Sequence, residues 1–554
     1  MTVIYSGYGE LTKELFNDRL INNPPPAIAI DVETISLKEK IPIGFSIATS
    51  PEESWYFRTY PDPDPEIELV RPLLNNPNIC KVFHNAIFDL RVFPLIYEID
   101  DTNIFCTNVA ARLLGYQETK LSVLALELFS REIVTATDLM AEYGKKTMLN
   151  LPFEDVGKMC NSHSAYTLRL YELFNTKVDK DYMSVEMKAI PILIRMSLRG
   201  MKVNQRDRAR LEQKLEGEVA YYRSLCEEQD FNPASPMQVG FILAKRKNFL
   251  PLTKSKKQYR TDNETLSFVD DPIAAIVLNF RQVNTLLTRY IKPLAEQDRI
   301  YTNYNLDARV GRVSSSSMNL QNIPPPDINR KLLPEGTRYI FEPDSGCFTT
   351  GDYSQEHLRI LAYLSQDRKM LQVYEEGEFD GDIHIKTANE MGIPRKLAKV
   401  INYAIPYGAD AHTISTQARV KDEKKCQRFL DNWFESYPDA AEWIRGAREE
   451  GLRDGWSLPT LFGRRIRVPE EVNRWGKVDE LAMGRKCVNY PILGSDGEVM
   501  KRALIICECY ELPLTVTVHD SITCDGDIEF PLEELENITP FALPFAVKKT
   551  IRWE

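Results

Sequence analysis

The chain has 554 residues, a formal net charge of −11 and 43% apolar residues. That length allows several domains of roughly 100–200 residues each, and no apolar run approaches the roughly 20 residues of a membrane span. The N-terminal MTVIYSGYGELTKELF lacks a signal-peptide pattern, and the ten cysteines form no C-x-x-C pair, so a reduced, cytoplasmic protein without a structural zinc site is expected.

In chain order, the prolines of NNPPPAIAIDVET lead into AIAID, a short apolar strand ending in an acid. Asp31 and Glu33 lie two apart on it and so point to one side. CKVFH reads as another strand, and NAIFDLRVF as a helix that brings in Asp89. Carboxylates gathered in this way repel unless a metal or a proton sits among them. The first part closes near YELFNTKVDKDYM. Residues 183–300 have few prolines and many Glu/Arg/Lys pairs at four-residue spacing, as in RDRARLEQKLEGEVAYYRSL, and are expected to be helical. KRKNFLPLTKSKKQYR (245–260) holds seven basic residues and no acid, and is either a phosphate-neutralising patch or a solvated loop. After Tyr301 strands alternate with helices. The class is α/β plus α+β in at least two units.

The second half carries more chemistry. Asp352 ends the strand-like CFTTGD, and Asp520 sits at the tip of LTVTVHDSITCD, whose period-2 alternation predicts a hairpin. Strand ends and hairpin tips hold side chains on rigid backbone, which suits metal ligation. Taken singly, each acid is no more than a turn residue or a helix cap. RKLAKVINYAIPYGAD sets Arg395, Lys399, Tyr403 and Tyr407 at strict four-residue spacing. Each step of four on a helix drifts only about 40°, so they form one stripe. Two cations followed by two aromatics match a triphosphate followed by a sugar and base. Pro406 should kink this helix near its end. In GRVSSSSMNLQNIP, Arg312 is followed by the amides Asn319, Gln321 and Asn322, residue types that read minor-groove acceptors or simply build a polar loop.

These blocks resemble the DNA polymerase I family (family A). GDYSQEHLRIL is similar to its motif A, RKLAKVINYAIPYG to motif B and VHDS to motif C; GRVSSSSMNLQNIP, TLFGRRIRVPE and VNYPILGS match further blocks, and NPASPMQVGFIL with LPLTKSKKQYRTDNETL resembles the thumb. The matches are collinear over roughly residues 190–554. AIAIDVET and HNAIFD resemble the family's 3′→5′ exonuclease domain over roughly residues 1–180. The resemblance implies a ribonuclease H-like exonuclease domain (1–180), then a right-hand polymerase: thumb with the start of the palm (181–300), palm with motif A (301–365), fingers (366–440) and palm with motif C (441–554). It implies primer extension with dNTPs on a DNA template, with two Mg²⁺ per polymerase site, replaceable by Mn²⁺, held by Asp352, Asp520 and the Tyr353 carbonyl. Arg395 and Lys399 grip the triphosphate, and Lys399 is placed to protonate pyrophosphate. Tyr403 faces the ribose and Tyr407 the templating end, with Gln355, His357 and His384 also beside the nucleotide. Arg281, Arg312, Asn319, Gln321, Asn322, Asn489 and His519 touch primer–template DNA. Asp31, Glu33 and Asp89 hold the exonuclease metals. A monomer is expected, with no membrane partner and no identified replisome partner; the absence of room for the family's 5′-nuclease domain and the short thumb suggest a phage or plasmid type.

The departures are as informative. Aligning NSHSAYTLRLYELF on its T-L-R-L core puts His163 where the exonuclease domain has its fourth acid and Met159 where it has a tyrosine. A histidine brings no negative charge and suits Mg²⁺ poorly, so weak or absent proofreading is expected unless Asp155 serves instead. Ser521 replaces the usual motif C Glu, Leu493 the usual Gln, and His357 the usual motif A Glu, which in the family packs against the motif B tyrosine and crowds the ribose 2′-hydroxyl. Glu356 is an additional acid beside it. Two other readings compete with the polymerase: a nuclease whose second half only positions DNA, and a degraded polymerase acting as a DNA-binding scaffold.

Overall fold

The computed structural model describes residues 3–553 except 8, 37–39, 94–98, 247, 254–256, 307, 325–335, 419, 421 and 474–475. The chain divides into two compact units: 1–198 with 304–309, and 199–303 with 310–554.

The first unit is built on a six-stranded sheet: β1 Ile4–Ser6, β2 Ala27–Thr34, β3 Pro42–Ser50, β4 Glu53–Arg58, β5 Cys80–Phe83 and β6 Ile104–Cys106, in the order β1-β4-β3-β2-β5-β6. β2 runs antiparallel to β3 and parallel to β5. It is central, so Ala27 to Ile30 are buried in succession, and the strand turns half-open only at Asp31 and Glu33. Helix α1 (Ala86–Val92) follows β5, and the long helix α2 (Phe153–Phe174) lies across β2, β3 and β4. The unit extends past the expected boundary at 180 because α3 (Lys180–Arg199) buries Glu186 and Met187 within it. Glu186 pairs with Arg112 at 3.1 Å, and the Met187 thioether accepts the Cys106 N–H at 3.2 Å.

The second unit contains a short three-stranded sheet of β7 (Met201–Val203), β8 (Arg299–Ile300) and β9 (Phe341–Glu342), and a four-stranded antiparallel sheet. The latter comprises β10 (Phe348–Tyr353), β11 (Leu514–Val518), β12 (Ser521–Asp525) and β13 (Phe545–Thr550), in the order β11-β12-β10-β13. Helices α4 (Gln205–Glu227) and α5 (Pro272–Thr285), in the stretch expected to be helical, pack together and share one apolar cluster with Phe348, Val516, Val518 and Trp553. A second cluster joins α6 (Glu356–Ser365) to α8 (Arg395–Ala404) and to Phe429, Trp433 and Tyr437. The helix α9 (Glu480–Cys509) completes the unit, with α7 (Ile383–Met391) beside α8.

The predicted hairpin is present, but its alternation is not an inside–outside pattern. Every residue of β11 is buried. The threonines are satisfied internally, as in the 2.9 Å contact between the Thr350 and Thr523 hydroxyls. The sheet is equally tight at Gly351, where a Cβ would lie 1.9 Å from the Phe545 ring. Gly351→Ala should therefore lose about 1–3 kcal/mol of stability, as overpacked cores do. Denaturant melts read this, and a smaller loss is expected when Phe545→Leu is combined with it; an unchanged midpoint for the single variant would show that the sheet gives way freely.

Candidate active sites

In the first unit, β2 presents Asp31 and Glu33, and α2 brings His163 to them. One ligand atom from each lies within 4.8 Å of the others, and among the described residues this is the one cluster with metal-binding spacing. His163 Nδ1 is 3.4 Å from Asp31 Oδ2 and 3.6 Å from Glu33 Oε1, while Nε2 is 2.8 Å from the Val134 carbonyl. Both ring nitrogens therefore face acceptors, which suits a doubly protonated ring. Burial opposes that charge, but the Asp31 and Glu33 carboxylates hold the His163 pKa well above the ordinary histidine value. Asp89, also buried, is pushed well up by burial and then by Asp31 and Glu33. Asp155 is not recruited: it accepts from the Tyr143 hydroxyl at 2.7 Å and faces Lys158. The imidazole thus sets one nitrogen against the Asp31 and Glu33 carboxylates and the other against the Val134 carbonyl.

In the second unit, Asp352 leaves β10 opposite Ser521, and the Tyr353 N–H donates to the Asp520 carbonyl at 3.1 Å. Two strands thereby lock the two acids side by side. Partial burial and the neighbouring Asp520 push the Asp352 carboxyl up to about 7, against the pull of Lys548 and Lys399. Asp352 is open to solvent, so screening softens that effect. A divalent cation would relieve the repulsion, and the donor set of two carboxylates and a carbonyl is what magnesium accepts. Ser521 donates to the Val518 carbonyl at 2.9 Å, within the hairpin.

The stripe forms as predicted. Arg395 and Lys399 on α8 are exposed, and Tyr403 and Tyr407 half-buried. The kink at Pro406 appears as a tightened turn over Ile405–Tyr407 that ends at Gly408 with φ +73°. Arg395 is held by Asp382 at 2.5 Å, and Asp382 also caps α7 through the His384 N–H. His384 is only 1% exposed. It faces the Asn402 amide at 3.1 Å and the Tyr403 ring at 5.5 Å, and burial lowers its pKa to about 4. Gln355, in a left-handed turn with φ +55°, donates to the Gly381 carbonyl at 3.1 Å. His357 meets Tyr407, with Nδ1 2.6 Å from the phenol oxygen.

The amides expected on DNA have local duties. Asn319 accepts from the Ser315 hydroxyl and caps the turn Leu320–Asn322, and Gln321 donates to the Val313 and Thr517 carbonyls. Arg281 donates to the Thr261 carbonyl. Asn489 Oδ1 is buried without a hydrogen-bond partner among the described residues, and His519 stands exposed at the hairpin tip with φ +54°. The basic stretch is partly neutralised, because Arg246 pairs with Asp271 and Arg260 with Asp262, each at 2.9 Å. Its Lys247, Lys254 and Lys256 lie outside the described residues.

Sequence reasoning missed Lys548, whose charge acts on Asp352, and the acids of α9. Glu498 is 2.6 Å from Arg464, and Asp496 pairs with Arg312. The available signal was GSDGEVM, two acids set among small and apolar residues in a helix.

A family model described as DNA polymerase family A matches residues 201–542, and one described as 3′-5′ exonuclease matches residues 10–179. The chain belongs to DNA polymerase family A. DNA polymerase I of Chloroflexus aurantiacus is 29% identical over 521 residues, 87% of this chain and 54% of that protein. The thermostable DNA polymerase I of Thermus aquaticus is 34% identical over 304 residues, 50% of this chain and 35% of that protein. The chain thus spans about half the length of the Chloroflexus relative or less of others. A solved structure described as the POL domain of Pol1 from M. smegmatis in complex with DNA primer-template and dNTP superposes with a TM-score of 0.78 at 21% identity, over 95% of each chain. The expected fold, an exonuclease-type domain followed by a family A polymerase domain, is therefore present.

His163 can be tested as a built-in counter-ion. With Asp352 and Asp520 both replaced by Ala, so that the polymerase-side acids contribute no site, His163→Asp should raise Mn²⁺ affinity at least about tenfold, because a fixed cation gives way to a carboxylate ligand. Calorimetric titration reads this, and equal affinities with and without the substitution would show that His163 does not oppose a metal.

Proposed function

We propose that this protein extends a DNA primer 3′ end with dNTPs on a DNA template, and that its exonuclease-type domain proofreads weakly or not at all. The observation that carries the first part is the pairing of Asp352 and Asp520 on locked strands in the same unit as the exposed Arg395–Lys399 cations. Two divalent cations held by Asp352, Asp520 and the Tyr353 carbonyl would stabilise charge on both the attacking and the leaving oxygen. The chain's own residues do the rest. Arg395, pre-oriented by Asp382, and Lys399 take the triphosphate, with Lys399 in position to hand a proton to the departing pyrophosphate. Tyr403 lies under the sugar and Tyr407 beyond it. Arg312, Asn489 and His519 meet the primer–template, and Arg281 meets its backbone. The relative solved with primer-template and dNTP supports DNA and dNTPs as partners. Weak proofreading rests on His163, which balances Asp31 and Glu33 from within.

Asp352→Ala or Asp520→Ala should cut single-nucleotide addition by more than about 1,000-fold, roughly 4 kcal/mol of transition-state stabilisation, while affinity for primer–template stays within a few-fold. Near-normal extension by either variant in a primer-extension assay would sink the assignment and favour the nuclease or scaffold readings. On a mismatched primer with Mg²⁺ or Mn²⁺ and no nucleotides, trimming should be slow or absent; fast trimming lost on Asp31→Ala would overturn the reading of the first unit.

A further inference from the structure

Asp496 lies in the middle of α9 with 1% of its surface exposed. A buried carboxylate persists only when it is paired and hydrogen-bonded, and its partner is the Arg312 guanidinium, which approaches from the 310–312 loop. That loop can reach the helix because position 497 is glycine, where a Cβ would sit 2.9 Å from the Gly311 carbonyl oxygen and 3.0 Å from the Arg312 nitrogen.

Arg312 does not stop at the acid. Its Nη2 is 2.8 Å from His357 Nε2. Arginine can only donate, so His357 Nε2 accepts; the ring proton then sits on Nδ1 and is donated to the Tyr407 phenol oxygen at 2.6 Å. Asp496 Oδ1 is itself 3.5 Å from His357 Nε2. One buried anion therefore organises two side chains from separate elements: an arginine on a loop and the last aromatic of the α8 stripe.

Glu356 fits the same arrangement. It is 1% exposed, and both of its carboxyl oxygens, like Asp496 Oδ1, lack a partner if every acid is ionised. Carboxylates only accept, so contact between two acids becomes a hydrogen bond when one keeps its proton. Burial and then Asp496 push the Glu356 pKa well up, while Arg312 holds Asp496 down despite its burial. Asp496 carries the charge.

We propose that Asp496 is a positioning residue which, through Arg312 and His357, sets Tyr407 and so couples the primer-end arginine to the nucleotide side of the site. The acid usual at position 357 has in effect moved to 496, with an imidazole bridging the gap. This rests on the polymerase reading, and the test separates the two.

The test measures kcat and KM for single dNTP addition at a matched primer end in the full chain. Asp496→Asn, which keeps the volume and removes the charge, and Asp496→Ala should each lower kcat/KM by at least about tenfold, as expected for losing a charged hydrogen bond. Returning the acid to position 357 should rescue: Asp496→Ala/His357→Glu is expected within about threefold of the unsubstituted chain. His357→Glu alone, which sets an ionised acid against Asp496, should lose at least as much as Asp496→Ala. A folded Asp496→Asn at full activity, or a folded double variant no better than Asp496→Ala, would overturn the proposal. An activity-independent readout is the ¹⁵N shift of His357, assigned with His357→Gln. It should show the Nδ1–H tautomer in the unsubstituted chain and lose it in Asp496→Asn, and an unchanged tautomer would also overturn the proposal. If the unsubstituted chain extends no primer, the polymerase reading fails instead, and the histidine spectrum still decides the role of Asp496.

Discussion

The second unit depends on charges buried in one helix. α9 carries Asp496 and Glu498 at 1% and 2% exposure. Each takes an arginine from elsewhere: Asp496 takes Arg312, and Glu498 takes Arg464 together with the Thr460 hydroxyl at 2.8 Å. Arg464 then donates to the Val310 carbonyl at 2.6 Å, two residues before Arg312. Buried ion pairs contribute little net stability, but removing one partner costs about 3–5 kcal/mol, because the other charge is stranded. That asymmetry suits a loop that must sit in one place. A hydrophobic contact would tolerate sliding by an ångström, whereas this pair of acids fixes residues 310–312 against the helix in a single register.

The four-stranded sheet provides the complementary rigidity. β10 is paired on both sides, by β12 and by β13, so Asp352 rises from backbone that cannot shift. The buried threonines and the Phe545 ring over Gly351 leave no slack behind it. Opposing charge arrives on two elements, Lys399 on α8 and Lys548 on β13. The acids are local in sequence to their own strands, and the balancing cations are not.

That distinction explains what could be read beforehand. A hairpin with Asp520 at its tip, the four-residue stripe and the break in the helix near Pro406 all follow from local periodicity, and each is present, whereas the strands expected to end at Asp31 and Asp352 run on to Thr34 and Tyr353. The position of His163 beside Asp31 and Glu33 also followed, by alignment on a helix. What escaped were pairings between residues far apart. Arg312 and Asp496 are 184 positions from each other, and nothing in either neighbourhood names the other. Asn402 was likewise invisible. It looks like an ordinary helix residue, yet it gathers Thr387, His384 and the Trp433 N–H beneath the stripe. The basic run at 245–260, read as either a phosphate-neutralising patch or a solvated loop, has two of its arginines paired with Asp271 and Asp262 just beyond its end.

Two acid clusters among the described residues, at Asp31 and Glu33 and at Asp352 and Asp520, meet the same electrostatic problem differently. Carboxylates brought together must be neutralised by protons, by a cation from the protein or by a cation from solution. Around Asp31 and Glu33 the protein supplies its own, a histidine whose second nitrogen is tied to the Val134 carbonyl and so cannot readily swing away. Around Asp352 and Asp520 the nearest cations, Lys399 and Lys548, leave Asp352 still pushed upward, so the deficit stays open. Around Asp31 and Glu33 the imidazole meets that deficit only in part, since burial and the neighbouring carboxylates still push the Glu33 and Asp89 carboxyls up.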